Sequence, residues 1–315
     1  MLSTIREARD KVQQSLHALL VLGQHFGVDI LPRHFYSEIP DFRELRKTEA
    51  WKAPRSMYGV RGVDLDRQLS FVRDCIPDSM RAIVLEENIF DAACEENGAV
   101  GFGQVEAEFL FCFLARHKPR RIIQVGAGVS TAVLLHAGKT FDYHPEITCI
   151  DPFPTQYLRK SSENGQITLI PQKCQDVDLS VFSKLGPGDL LFVDSTHTVK
   201  PGSEVNILIL EVLPRLSSGC HVHFHDIYFP YDYPCALYTI PFFWNESVLL
   251  HAFLTGNSRY SISASLSMLH HAKPKELQML FPNYRPEVLE QGLRISSRTG
   301  WHFPTSTYLL AGEDR

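Results

Sequence analysis

Four residues whose side chains can move protons or bind metals follow two apolar segments in the second half of the chain. Asp194 and His197 come after DLLFV, and His225 and Asp226 come after CHVHF. Carboxylates and imidazoles that share a crevice perturb one another's pKa values, as they do in acid–base and metal sites. We therefore predict that these four residues are catalytic. A purely structural network of Asp–His hydrogen bonds is the alternative.

A turn that contains glycine follows the earlier apolar segment RIIQV. Gly126 and Gly128 precede Ser130 and Thr131, where a helix is predicted to begin. Glycines let the backbone come close to a ligand, and the start of a helix offers free N–H groups to a negatively charged group. A tight strand-to-helix turn without a ligand is the alternative, because Ser130 stands where a dinucleotide fingerprint has its third glycine.

Two acidic residues come after the next two predicted strands. Asp151 directly follows ITCI, where a carboxylate can accept hydrogen bonds from both ribose hydroxyls of an adenosine. Asp176 follows the third strand and is a candidate for contact with an adenine edge. A helix N-cap and a surface turn are the respective alternatives. Together with the glycine turn, these positions favour a cofactor that contains a nucleoside.

The elements that must position these residues alternate between strand and helix from residue 104 onward. The predicted strands are 121–125, 147–150, 167–170, 189–193, 220–224, 260–265 and 306–311, and the predicted helices are 104–117, 129–138, 154–162, 201–216 and 243–255. Such alternation predicts an α/β fold with a doubly wound, largely parallel sheet. Ligands of these sheets bind beyond the carboxyl ends of the strands.

The first hundred residues have a different character. Helices are predicted over 3–25 and 64–75, and a stretch rich in Pro, Arg and aromatic residues lies between them. We predict an N-terminal helical and irregular cap over 1–103 and a catalytic domain over 104–315. That domain carries an insertion at about 266–305, which is expected to reach the site and to hold a short helix near 286–292.

Composition narrows the range of partners. Lys and Arg number 31 against 36 Asp and Glu, so the chain lacks the basic excess typical of nucleic-acid-binding domains. Nothing approaches the ~20 apolar residues that cross a bilayer. The seven cysteines include no CxxC pair and indicate reduced thiols in a cytoplasmic protein. We expect no nucleic-acid or membrane partner, and a homodimer is compatible with the sequence.

The order of these motifs resembles class I S-adenosylmethionine-dependent methyltransferases. The segments that carry the resemblance are IIQVGAGVSTA, ITCIDPFP, LLFVDSTHTVKPGSEVN, LPRLSSGCHVHFHDIYFPYDYP and FFWNESVLLHAFL. The Asp-Ser-Thr-His and His-Phe-His-Asp-Ile strand ends narrow it to a subgroup that acts on small molecules or glycans. The similarity covers roughly residues 104–265, and a weaker similarity is found at residues 36–45.

The resemblance implies a Rossmann-like, seven-stranded sheet whose last strand is antiparallel. It implies S-adenosylmethionine as cofactor, with the 126–131 turn around its methionine part, Asp151 at the ribose and Asp176 near adenine. The cofactor-binding residues implied are Gln124, Gly126, Gly128, Ser130, Thr131, Asp151, Asp176 and Asp194. Gln124 stands where the family usually has Glu or Asp, so its amide accepts hydrogen bonds but has no charge to pair with the cofactor's ammonium group.

The predicted reaction is in-line transfer of a methyl group to O or N of a small molecule or sugar. His197 or His225 is the predicted base, with Asp194 or Asp226 orienting it. We expect no metal to be needed.

If a divalent metal is present, Asp194, His225 and Asp226 are its predicted ligands. Carboxylates suit magnesium, whereas imidazoles shift the preference toward transition metals. The alternatives are a metal-dependent enzyme on the same fold, for example with iron on His197, His225 and Asp226, a NAD-type oxidoreductase, and a non-catalytic cofactor-binding protein.

Overall fold

The computed structural model describes residues 2–37, 39–233, 243–284 and 304–313. They belong to two compact units, Met1–Thr48 and Glu49–Arg315. In the smaller unit, helix α1 (Leu2–His25) confirms the helix predicted over 3–25. Helix α2 (Phe42–Thr48) begins after Asp41, whose carboxylate accepts the backbone N–H of Arg43 at 2.9 Å.

The larger unit is built on a seven-stranded sheet. Its strands are β1 (Arg121–Val125), β2 (Glu146–Ile150), β3 (Thr168–Ile170), β4 (Leu190–Val193), β5 (His221–Phe224), β6 (Tyr260–Ser265) and β7 (Thr307–Ala311). Their order is β3-β2-β1-β4-β5-β7-β6, and β7 is antiparallel to both of its neighbours. The predicted strands, the doubly wound sheet and the antiparallel last strand are confirmed.

Helices cover the sheet. They are α3 (Leu65–Cys75), α4 (Asp78–Glu87), α5 (Ile89–Asn97), α6 (Gln104–His117), α7 (Val129–Thr140), α8 (Gln156–Glu163), α9 (Glu204–Ile207), α10 (Glu246–Leu254), α11 (Leu266–Ala272) and α12 (Pro274–Leu280). The helix predicted over 201–216 is α9 continued by a π-helical turn, Leu208–Val212, and a 3-10 turn, Leu213–Arg215.

Five short helices of the described residues were not predicted, namely α2, α4, α5, α11 and α12. The helix predicted near 286–292 lies outside the described residues. Helices α3, α4 and α5 belong to the same compact unit as the sheet. The division between a cap and a catalytic domain at residue 103 stays a prediction.

Both faces of the sheet are buried, as a parallel sheet requires. Successive side chains of a strand point to opposite faces. Leu190 and Phe192 of β4 pack into the apolar cluster on one face, and Leu191 and Val193 pack into the cluster on the other. In the part of the chain that the structure describes, no helix is both long enough and apolar enough to cross a membrane.

The parallel register brings the carboxyl ends of the central strands to one edge. Val193 pairs with Val125 on one side and with Phe224 on the other, so the residues after these positions are neighbours. Strand order reverses between β1 and β4, where sheets of this type form their ligand crevice.

Gly126 lies at that reversal. Its φ is +78°, and a Cβ added there would lie 1.6 Å from the carbonyl oxygen of Asp194. A side chain at this position would therefore collide with the backbone of the neighbouring strand end. Glycine keeps the ends of β1 and β4 close together.

Gly126→Ala is expected to lower the free energy of unfolding by about 3 kcal/mol or more, because a steric clash adds to the strain of a left-handed alanine. Gly188→Ala is the matched control, since Gly188 has a φ of +80° and open space around its Cβ position. This control should lose only about 1–2 kcal/mol. Urea unfolding of both variants measures the difference, and equal losses would contradict the close approach.

Candidate active site

The buried side-chain amide of Gln124 stabilises the turn between β1 and α7. Gln124 is fully buried, and its Nε2 donates to Ser130 Oγ at 2.6 Å while its Oε1 accepts from Thr131 Oγ1 at 2.8 Å. The backbone N–H of Gly128 bonds Thr131 Oγ1 at 3.2 Å. The structure thus places Gln124, Ser130 and Thr131 against one another, where they fix the shape of the turn.

Asp151 joins the ends of β1 and β2. Its two carboxylate oxygens accept the backbone N–H groups of Ala127 at 3.0 Å and Phe153 at 2.7 Å. The side chain is half-buried, and a carboxylate has about four acceptor positions, so it can accept further hydrogen bonds. Asp176 is exposed in a short 3-10 turn, Cys174–Asp176, after β3.

The four predicted catalytic residues meet at the ends of β4 and β5. Asp194 Oδ1 lies 3.2 Å from His225 Nδ1 and 3.5 Å from His197 Nε2. Asp226 Oδ2 lies 3.5 Å from His225 Nδ1 and 3.6 Å from His197 Nε2. Each imidazole therefore faces both aspartates, and the prediction that these residues converge is confirmed by their distances.

Two buried glutamates lie next to the imidazole nitrogens that face away from the aspartates. Glu246, at the start of α10, places Oε2 2.8 Å from His197 Nδ1, and Glu106 on α6 places Oε1 3.2 Å from His225 Nε2. Both glutamates are 0% exposed. Oε1 of Glu246 is also buried and has no hydrogen-bond partner among the described residues. The far nitrogen of each histidine is thus adjacent to a carboxylate that solvent does not reach.

The segment that leads into β7 completes the network. Thr305 donates its hydroxyl toward Glu106 Oε1 at 2.9 Å and Asp226 Oδ1 at 3.0 Å. Its backbone N–H also donates to Glu106 Oε1, at 2.8 Å. Thr305 is the last residue of the insertion predicted at 266–305, so this end of the insertion reaches the site.

Backbone contacts hold the loop after β4 in place. The carbonyl of His197 accepts the N–H groups of Asn245 at 2.9 Å and Glu246 at 3.1 Å. The Asn245 side chain accepts the N–H of Val199 at 2.5 Å. His197 and Asp226 both adopt positive φ, 56° and 54°, which is uncommon for residues other than glycine. The surrounding contacts impose this backbone and with it the direction of the two side chains.

Contacts within the network shift the pKa values of His197, His225 and Asp194. Burial alone would lower the pKa of His197, but the carboxylates of Asp194 and Glu246 outweigh it and raise that pKa to about 10. Burial also opposes the charge on His225, and Asp226 and Asp194 raise its pKa well above the usual value. Asp194 keeps a pKa well below its ordinary range because the imidazolium of His225 overcomes its burial. The contacts therefore favour the ionised form of Asp194 and the protonated forms of His197 and His225.

The other two histidines of β5 lie outside the network. Burial lowers the pKa of His223 to about 3, and its Nε2 bonds Ser306 Oγ at 2.8 Å. Burial lowers the pKa of His221 to about 4. Both histidines are therefore neutral at pH 7 and do not contribute charge to the network.

Sequence reasoning missed Glu106, Glu246 and Thr305. The signal for Glu106 was a carboxylate inside a helix whose residues 105–114 are otherwise apolar or small, apart from Glu108. Glu246 stands at the start of an apolar helix in the same way. Nothing in the sequence pointed to Thr305.

A separate groove of about 1520 Å³ runs along α5, α7 and α8, with Glu96, His136 and Tyr157 among its lining residues. None of the predicted cofactor-binding or catalytic residues lines it. The chemistry-bearing side chains are gathered at the strand ends, so we place the candidate active site there.

A family model and a curated relative match this chain. A family model described as a methyltransferase domain matches residues 123–227. An uncharacterised protein of Archaeoglobus fulgidus is 32% identical over 165 residues, which cover 49% of this chain and 72% of that protein. The region matched by the family model includes the glycine turn and the ends of β2, β4 and β5.

Solved structures are also similar. A Podospora anserina methyltransferase bound to SAH shares 14% identity, with a TM-score of 0.40 over 90% of this chain and 99% of that chain. The plantazolicin methyltransferase BpumL in complex with SAH shares 14% identity, with a TM-score of 0.36 over 79% of this chain and 97% of that chain.

The raised pKa of His197 predicts a pH-dependent stability. Its pKa rises from 6.5 to about 10 on folding, so its contribution is complete below pH 6.5 and disappears as the pH rises toward 10. In chelator-treated protein, the stability advantage of the wild type over His197→Asn should therefore shrink across that interval.

His223→Asn is the control, because a histidine with a pKa of about 3 in the folded protein stays neutral there. Its difference from the wild type should change little between pH 7 and 10. Urea unfolding at a series of pH values measures both. A constant His197→Asn difference would contradict the charge assignment.

Proposed function

The chain belongs to the class I S-adenosylmethionine-dependent methyltransferase family, and on that premise we propose that it methylates an oxygen or nitrogen of a small molecule or sugar. One observation supports placing the proposed reaction at this site. The ionised Asp194, which contacts two imidazoles, follows the strand that packs against the glycine turn. Family membership favours methyl transfer over the nicotinamide-dependent alternative.

The residues at the strand ends fit the cofactor. S-adenosylmethionine supplies a methyl group that is already activated on a positively charged sulfonium. Asp151 can accept hydrogen bonds from ribose hydroxyls, and the start of α7 can receive a carboxylate. The negative charge of Asp194 suits a neighbouring cation. In this proposal Gln124 shapes the turn through its hydrogen bonds to Ser130 and Thr131. This role explains why an amide can stand where the family usually has an acid.

The tasks left to the protein are to align the acceptor and to remove its proton. We propose that His225 takes the proton from the acceptor. Asp194 and Glu106 orient the His225 ring from opposite sides. The ring of Phe102 lies 4.9 Å from that of His225, and the ring of Trp244 lies 4.9 Å from that of His197. These aromatic neighbours limit the access of water to the imidazoles.

A raised pKa would keep His225 protonated, and hence inactive as a base, while the site is empty. A bound cation lowers the pKa of a nearby imidazolium, because like charges disfavour each other. The positive charge of the bound cofactor therefore favours the neutral form of His225, which is the form that acts as a base.

His225→Ala should reduce turnover by about 10²–10⁴-fold, the range for loss of a general base, while the dissociation constant for S-adenosylmethionine changes little. Release of S-adenosylhomocysteine is followed with a panel of hydroxylated and amino acceptors, and a product heavier by one methylene confirms transfer. Calorimetry measures cofactor binding. His221→Ala, at the start of the strand that ends just before His225, is the control and should keep turnover. Equal losses of binding and turnover in His225→Ala would remove its role as base.

Asp151→Ala should show the opposite pattern. Losing hydrogen bonds to a charged acceptor costs about 1.5–3 kcal/mol, so we expect the cofactor dissociation constant to rise about 10–100-fold. Asp64→Ala is the matched control, because Asp64 also accepts two backbone N–H groups, those of Asp66 and Arg67, at a helix start. Calorimetric titration of both variants decides the matter. Unchanged binding by Asp151→Ala would place the ribose elsewhere.

A further inference from the structure

We propose that Asn97, the last residue of α5, binds the cofactor, with its side-chain Nδ2 donating a hydrogen bond to the carboxylate of the methionine part. This residue is not among the cofactor-binding residues expected from the sequence. The inference deepens the proposed function, because it rests on S-adenosylmethionine occupying the turn between β1 and α7. It adds to that site a residue that precedes the first strand of the sheet.

The side chain of Asn97 lies beside the glycine turn. A Cβ added to Gly128 would lie 3.5 Å from Asn97 Nδ2 and 3.8 Å from Asn97 Oδ1, so the amide stands next to this glycine. Gly128 directly precedes α7, the helix whose start can receive the cofactor's carboxylate in the proposed function. The Asn97 amide is therefore close to the place where that carboxylate is expected.

A hydrogen bond determines which end of the amide faces the turn. Thr155 is the N-cap of α8, and its Oγ1 accepts the backbone N–H of Leu158 at 3.3 Å. The same hydroxyl donates to Asn97 Oδ1 at 3.1 Å. The oxygen of the amide is thus engaged by Thr155, and the atom nearest to Gly128 is Nδ2, which can only donate. A carboxylate accepts hydrogen bonds, so this donor suits it.

Helix α5 does not need the Asn97 side chain in order to end. Gly98 has a φ of +74°, and its backbone N–H donates to the carbonyls of Cys94 at 2.9 Å and Glu95 at 3.2 Å. A glycine in this conformation is a common helix C-cap, and here the backbone alone satisfies the last carbonyls. The half-buried Asn97 amide therefore has no capping role in α5.

The charges at the end of α5 fit a negatively charged ligand. Asn97 follows Glu95 and Glu96, which are both exposed, and the Tyr157 hydroxyl donates to Glu96 at 3.3 Å. Of these three consecutive residues, only the one beside Gly128 has no negative charge. A carboxylate at position 97 would repel the carboxylate of the cofactor, whereas an amide does not.

The chain after Asn97 continues from the turn toward the proposed base. A Cβ added to Gly101 would lie 3.8 Å from the Val129 side chain at the start of α7. The ring of Phe102 lies 4.9 Å from that of His225. A cofactor that accepts a hydrogen bond from Asn97 is therefore in contact with the same segment that shields His225 from water.

The test compares two ligands by calorimetry on the full-length protein. S-adenosylhomocysteine has the amino-acid carboxylate, whereas 5′-methylthioadenosine keeps the nucleoside and the sulfur but lacks that carboxylate. Asn97→Ala should raise the dissociation constant for S-adenosylhomocysteine about 10–100-fold, the range for a lost hydrogen bond to a charged group. Asn97→Asp should raise it at least as much, because two carboxylates repel each other. Neither variant should change the dissociation constant for 5′-methylthioadenosine.

Asn164→Asp is the matched control. Asn164 also follows a glutamate at the end of a helix, α8, and it also precedes a glycine with positive φ, Gly165 at +73°. Its side chain is exposed. This variant should bind both ligands as the wild type does, and thermal melting confirms that each variant is folded.

Unchanged binding of S-adenosylhomocysteine by folded Asn97→Asp would overturn the proposal. Equal losses for both ligands would also overturn it, since they would mean that Asn97 supports the shape of the site and does not contact the carboxylate. In either case, binding of S-adenosylhomocysteine by the wild type leaves the proposed function intact. A wild type that binds neither ligand would refute the proposed function and this inference together.

Discussion

The carboxylate of Asp194 is the group on which the rest of the site depends. It is held between two imidazoles, whose positive charge keeps this half-buried carboxylate ionised. The partners in turn need their own positions fixed, so Glu246 and Glu106 lie behind them in the protein interior. One charged group thus requires side chains from β4, β5, α6 and α10 to be placed together. Its negative charge is also what makes the crevice suitable for a cationic methyl donor or a metal ion.

The sheet supplies the precision that this arrangement needs. Parallel register aligns the ends of β1, β4 and β5, and Gly126 allows the first two to approach within a distance that any side chain would prevent. The antiparallel β7 begins where β5 ends, because Thr307 pairs with Phe224, and this brings Thr305 to the same edge. Residues far apart in sequence therefore meet through the topology of a single sheet.

Much of this could be predicted from the sequence, because it depends on local patterns. Short apolar segments revealed all seven strands of the described residues, and the residues that closely follow three of these strands pointed to Asp151, Asp194 and Asp226. Glu106 and Glu246 could not be assigned to the site, since their role depends on which helix packs over which strand end. The contact between Gln124 and the turn could not be predicted either, because the sequence does not say which way a side chain at the end of a buried strand points.

We propose that one crevice at the strand ends binds both the methyl donor and the acceptor. A crystal structure of the protein with S-adenosylhomocysteine tests this most directly. We expect the ribose at Asp151 and the sulfur facing Asp194 and His225. Density for the ligand in the groove along α5, α7 and α8, near His136 and Tyr157, would contradict it.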